Sequence, residues 1–147
     1  MKTLIIYKSY HKLNTEKIAK AIAEAMNAKL VKVEEVKPED LAKYDLIGFG
    51  SGIYAAKLHK KIYKFIEEMP SMNKNVFVFC TSGSGRFGEK DQIKERLAEK
   101  GCKVVSEFSC SAEFRPLGLN FGSKGHPDEK DLEDARVFGK GLLGLLL

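Results

Sequence analysis

The chain switches between two hydrophobic periods from one end to the other. Residues 3–7 form a short unbroken apolar run with β-branched and aromatic side chains. Such a run predicts a strand buried on both faces. From Ile18 the period changes, and Ile18, Ala19, Ile22, Ala25 and Met26 fall on one face of a helix. Residues 29–36 alternate apolar and polar, as an edge strand with one wet face does, and 38–43 offers one or two helical turns after Pro38. A third strand over 44–50 gathers glycines at its exit, and 51–56 reads as a loop. Leu58, Ile62, Phe65, Ile66 and Met69 share a helical stripe over 57–69, which Pro70 stops. The fourth strand, 75–80, is the most apolar. A loop over 81–88 leads into a helix over 89–100 with Ile93 and Leu97 inward, and Gly101 is placed to cap it. The fifth strand is 102–110, and 111–127 reads as irregular. A last helix runs from 128 to about 146, with Gly139, Gly141 and Gly144 weakening its end. Five strands joined by helical crossovers, without repeat or linker, predict one α/β domain over 1–147, a doubly wound parallel sheet.

Composition narrows the function classes. With 44% hydrophobic and 31% charged residues in 147, the chain has material for a full core. No apolar run approaches the roughly 20 residues of a membrane-spanning helix. The start reads as a first strand and not as a signal peptide. The apolar end, 142–147, reads as the packing face of the last helix. Cys80, Cys102 and Cys110 are an odd number without a C-x-x-C pair. They predict buried strand residues in a reducing cytoplasm, with no disulfide and no metal site. The formal charge of +5 suits an anionic surface or an acidic protein partner. Lysine and glutamate alternate, however, and no nucleic-acid module is recognisable, so nucleic acid is not the expected partner.

Candidate chemistry gathers after strands 1, 3 and 4, where the loops are rich in Gly, Ser and Thr. In the first, residues 9–15, Asn14 or Thr15 can cap the following helix. The unsatisfied N–H groups of its first turn, with the helix dipole, attract an anion. Ser9 and Thr15 add hydroxyls, Asn14 an amide, and His11 and Lys12 cations, which together suit a phosphate monoester. An ordinary capped turn is the alternative. In the third loop Gly83, Gly85 and Gly88 spell G-x-G-x-x-G. A dinucleotide fold also wants an acidic residue about 20 positions on, at the next strand's end. Only Glu107 is near, in mid-strand, and the motif falls in the fourth strand unit.

Three segments resemble one family. Ser9-x-His11-x-x-Asn14-Thr15 looks like the FMN-phosphate loop of flavodoxins, written S-x-H-x-G-N-T in one branch, with Leu13 where a glycine is common. Residues 50–60 resemble the family's G-S-P-I-Y-A-G-K-L-H-K, and 124–132 its K-G-H-P-N-E-K-D-L. Phe108-Ser109-Cys110 is similar to its F-x-C. The resemblance implies strand order 2-1-3-4-5 with FMN at the switch between strands 1 and 3, for which flavodoxin is itself a standard example. It implies Ser9, Tyr10, His11, Lys12, Asn14 and Thr15 around the phosphate. It places Ser51, Gly52, Ile53, Tyr54 and Ala55 along the isoalloxazine, with the Gly52 backbone near N5 and Tyr54 as the stacking aromatic. Thr81, Ser82, Gly83, Gly85, Arg86 and Phe87 follow on the pyrimidine side. His59 reads as solvated near the site, and His126 as a helix-start residue.

These implications lead to an FMN-binding electron-transfer protein that cycles flavin between oxidised, semiquinone and hydroquinone states and serves a redox partner protein. The alternative is an FMN-dependent oxidoreductase on the same fold, quinone reductase or protoporphyrinogen oxidase-like. A cofactor-free scaffold for a protein partner is the third class, and Leu13 is its argument.

Overall fold

The computed structural model describes residues 1–9, 14–54, 57–82, 87–88, 91–111, 113–114, 121–122 and 125–146. Five parallel strands make the sheet: β1 (Thr3–Lys8), β2 (Lys29–Lys32), β3 (Leu46–Tyr54), β5 (Asn75–Ser82) and β6 (Lys103–Ser111), in the order β2-β1-β3-β5-β6. This is the predicted 2-1-3-4-5 order; the numbering moves on because a two-residue strand, β4 (Lys57–Leu58), pairs antiparallel with the end of β3. A separate ribbon pairs β7 (Glu113–Phe114) with β8 (Phe121–Gly122).

The helices are α1 (Asn14–Met26), α2 (Lys60–Glu68), α3 (Ile93–Glu99) and α4 (Glu129–Leu146). Strand side chains alternate faces, so each apolar run feeds two cores. Ile5, Tyr7, Phe77 and Phe79 meet α1 and α4 through Ile18, Ile22, Met26 and Ala135. Leu4, Ile6, Phe49 and Val78 meet α2 and α3 through Ile62, Phe65, Ile93 and Leu97. Covering both faces is what makes unbroken apolar strands stable. The three cysteines are buried, as expected.

Several boundaries differ from the sequence reading. β2 stops at Lys32 because the Glu35 carboxylate accepts the Lys32 N–H at 2.9 Å, drawing Val33–Glu35 into a 3-10 turn. β3 does not stop at residue 50 but runs on to Tyr54, and α2 begins at Lys60 instead of 57 because β4 takes residues 57–58. α3 begins at Ile93, whose N–H donates to Asp91 Oδ1 at 3.0 Å. Gly101 sits at φ +81 just past α3, the left-handed position expected of a helix-ending glycine.

The glycines of α4 do not weaken it uniformly, since the helix continues to Leu146. Gly139 is buried against α1, where an added Cβ would lie 3.0 Å from Met26 Cγ and 3.2 Å from the Ile22 carbonyl oxygen. Gly141 has nothing within 4 Å of such a Cβ. The expected result is a pair of opposite signs. Gly141→Ala raises stability by about 1 kcal/mol through helix propensity. Gly139→Ala lowers it by about 1–3 kcal/mol by forcing α1 and α4 apart. Urea unfolding followed by circular dichroism reads both. Leu142 of the apolar end is buried, as predicted, whereas Leu145 is exposed.

Candidate functional site

The parallel register brings the three predicted loops to one edge. Lys8, the last residue of β1, pairs with Ser51 of β3, and Ser51 with Cys80 of β5. One step on, Gly52 pairs with Thr81 and Thr81 with Cys110. Ser9, the 51–54 segment and Thr81–Ser82 therefore stand side by side. Tyr10, His11, Lys12, Leu13, Ala55, Gly83, Gly85 and Arg86 lie outside the described residues.

At the first loop, α1 opens with Asn14 and Thr15, which are 5% and 2% exposed. The Thr15 and Thr81 hydroxyls meet at 2.8 Å, tying the first loop to the third. Ser9 Oγ accepts the Glu16 N–H at 3.3 Å and so satisfies one first-turn donor. Below this point the Tyr7 hydroxyl donates to Glu16 Oε1 at 2.5 Å. Burial first, and then that carboxylate, push the Tyr7 phenol up and keep it protonated. Lys8 Nζ lies 2.8 Å from Glu34 Oε1, and Lys61 Nζ 3.7 Å from the same oxygen, which links β1 to the first turn of α2.

Ser51 is wholly buried. Its hydroxyl donates to the Gly52 carbonyl at 2.7 Å and accepts the His59 N–H at 2.9 Å. One side chain thus sets both the Gly52 peptide and the start of α2. Tyr54 folds back on this segment: its hydroxyl lies 3.1 Å from where a Gly52 Cβ would be. Its ring meets His59 edge to face, with centroids 5.4 Å apart. Ile53 and Phe87 are partly buried and pack against the core beneath α2 and α3.

His59 is not solvated, as its sequence position suggested, but 6% exposed. It is the N-cap of α2, with Nδ1 accepting the Lys61 N–H at 3.0 Å, so that nitrogen carries no proton. Burial, followed by the ammonium groups of Lys8, Lys61 and Lys60, holds the imidazole below the usual histidine range. The unfolded chain takes up a proton near pH 6.5 while the folded chain resists it. His59 therefore stabilises the fold fully above that pH, and the contribution drains away as pH falls through 6.5 toward the folded value. His59→Asn keeps a capping acceptor but no titration. Its stability curve should be flatter than the wild type's between neutral pH and pH ~5, and parallel curves would refute the assignment. His126 is at a helix start, as predicted: Asp131 Oδ2 lies 2.5 Å from its Nδ1 and accepts the Asp128 N–H at 2.9 Å.

Sequence reasoning missed a second feature beside this edge. Tyr54, Leu58, His59 and Tyr63 line a cavity of about 490 Å³ between α2 and α3, closed from the far side by Gln92 and Arg96. Lys60, Tyr63 and Glu67 share a helical line that the spacing i, i+3, i+7 could have shown. That α3 would face it was not readable. The Tyr63 hydroxyl hydrogen-bonds to Asp91, and the Gln92 N–H donates to that hydroxyl at 3.2 Å, which fixes the separation of the two helices.

The family model described as a flavodoxin domain matches residues 4–112. The chain belongs to the flavodoxin family. An uncharacterized protein of Methanocaldococcus jannaschii is 42% identical over 151 residues, which span 97% of this chain and 99% of that one. Among solved structures, a flavodoxin from the domain Archaea superposes with TM-score 0.74 at 22% identity, covering 98% of this chain and 97% of its own. Flavodoxin 2 from Bacillus cereus gives 0.75 at 23%, covering 99% and 100%. At these identities the structural likeness speaks for the flavodoxin fold. Membership of the family implies a flavin cofactor. Among the described residues of the chain, no helix is long and apolar enough to cross a membrane.

Proposed function

We propose that this flavodoxin binds FMN non-covalently and carries electrons one at a time to a redox partner protein. The observation that carries the reading is the meeting of buried Asn14, Thr15 and Thr81 at the helix α1 end of the sheet edge, with the 2.8 Å Thr15–Thr81 contact joining two loops there. Buried hydroxyl and amide groups at a helix N-terminus are the donor set that an organic phosphate needs. Ser9, Asn14 and Thr15 hold the phosphate together with Tyr10, His11 and Lys12. The segments 51–55 and 81–87 border the ring, and Ser51, through its two hydrogen bonds, holds the Gly52 peptide in place beside it. The flavin supplies the redox chemistry when bound, and the chain supplies position and charge.

Absorption spectra of the protein with added FMN, followed through stepwise reduction, test the proposal. Tight binding with a long-lived blue one-electron state is expected. Direct two-electron bleaching favours the FMN-dependent oxidoreductase, and no binding leaves the scaffold reading. The oxidoreductase reading, quinone reductase or protoporphyrinogen oxidase-like, draws on the cavity that ends at Tyr54, and turnover of quinone or protoporphyrinogen decides it. The surface charge adds a prediction. Lys57 and Lys60 are exposed near Tyr54, and the chain carries +5 overall. Opposite charges at ~4 Å are worth about 1 kcal/mol in water and more when partly buried. The second one-electron potential should therefore be less negative than in acidic flavodoxins, and a redox titration giving an equal or lower value would refute this.

A further inference from the structure

We propose that the cavity between α2 and α3 is a second binding site, distinct from the sheet-edge site, and that it takes a small fused-ring aromatic carboxylate. Its volume, about 490 Å³, falls within the range of sites for small organic molecules, roughly 300–1,000 Å³. Of the residues assigned to phosphate or flavin ring, Tyr54 alone is among the described residues that line it.

The walls decide the body of the ligand. Tyr54, Leu58, His59 and Tyr63 present rings and an aliphatic side chain. The Tyr63 hydroxyl is bonded to Asp91, and Asp91 is itself held as the acceptor for the Ile93 N–H. His59 Nδ1 is occupied by the Lys61 N–H, and its imidazole is neutral. What remains facing inward suits flat aromatic surface, which packs on ring faces and edges. A ligand with a polar body, such as a nucleotide, would lose its hydrogen bonds to water there without replacement.

The charged lining residues decide the ligand's charge. Three are cations, Lys57, Lys60 and Arg96, the two lysines exposed, against one carboxylate, Glu67. Arg96 lies 3.7 Å from Glu67, so these two exposed charges offset one another in part. Lys57 and Lys60 have no ion-pair partner among the described residues. An apolar interior under two uncommitted ammonium groups selects an aromatic body with one anionic end.

The test uses naphthoate as probe, titrated into the FMN-saturated protein and followed in amide nitrogen–proton correlation spectra. Saturating shifts at Leu58, Tyr63, Gln92 and Arg96 are expected. Neutral naphthamide should bind about thirtyfold more weakly, the worth of two ~1 kcal/mol charge pairs. The double variant Lys57→Gln/Lys60→Gln should weaken naphthoate by about the same thirtyfold, and Glu67→Gln should tighten it. All of these side chains are solvent-facing, so the fold is retained. Absence of saturation, equal affinity for naphthoate and naphthamide, or shifts confined to the edge around Thr15 and Thr81 would overturn the proposal. The inference does not need flavin. The same titration on protein without FMN reads the groove separately, so a failure to bind FMN and a failure of this site are distinguishable.

Discussion

Gly50→Ala is expected to lower stability by about 3 kcal/mol, near the upper end of what a single added methyl does in a packed core. The reason is a cross-strand pairing. Gly50 of β3 is the register partner of Phe79 of β5, and the Phe79 ring lies over it. A Cβ at Gly50 would sit 2.2 Å from Phe79 Cε2 and Cζ. The ring has little room to retreat. It is wholly buried, and Phe77 stands 6.2 Å away, itself backed by Phe138 at 5.8 Å. Gly48 repeats the arrangement beneath Phe77, with a distance of 2.3 Å. In a chain of this size the loss corresponds to a melting temperature lower by about 10 °C. Adding Phe79→Leu to Gly50→Ala should recover part of the loss, because the smaller side chain clears the new methyl. A double variant no better than the sum of the two singles would show that the clash is not the cause. Gly50 precedes Ser51, so the displaced strand should also weaken FMN binding.

The second large effect is on the cofactor. Thr15→Val replaces a 2% exposed hydroxyl with a methyl of nearly the same volume at the start of α1. A hydrogen bond to a charged group contributes about 1.5–3 kcal/mol, so FMN affinity should fall by about 10- to 100-fold. Riboflavin, which lacks the phosphate, is the control. Its affinity should fall far less, because riboflavin offers no phosphate for the Thr15 hydroxyl to bind. Thr15 also meets Thr81 at 2.8 Å, and the two roles separate in this comparison. Equal losses for FMN and riboflavin would assign Thr15 to holding the loops together and remove it from the phosphate. Fluorescence quenching of either flavin on binding gives both affinities.

Much of this molecule was legible before any coordinates. The apolar strand runs, the striped helices and the placement of Gly, Ser and Thr in three loops are local patterns, and a doubly wound sheet is the arrangement that satisfies them together. The sequence by itself determined the five strands, the burial of the most apolar of them on two faces and the candidate phosphate loop. Strand order came from the family resemblance, and the register of β1, β3 and β5 then put Ser9, Ser51 and Thr81 in one row.

What the tertiary structure alone decided depends on partners far apart in the chain. Residues 51–54 read as loop because glycine and serine interrupt the apolar run, yet they continue β3, since Ile53 and Tyr54 find pairing partners in Leu58 and Lys57. His59 reads as a solvated residue near a basic stretch. It becomes a buried cap because Ser51 accepts its N–H and its Nδ1 accepts the Lys61 N–H, and burial beside Lys8, Lys61 and Lys60 disfavours its charged form. Gly48 and Gly50 read only as glycines gathering at a strand exit, whereas they make room for two phenylalanines of the neighbouring strand. The cavity at Tyr54 exists because the Tyr63–Asp91 bond sets α2 and α3 at their spacing. Periodicity records which side of an element is buried. It does not record which atom of another element arrives there, and that contact decides whether a glycine is slack or required, and whether a histidine is wet or dry.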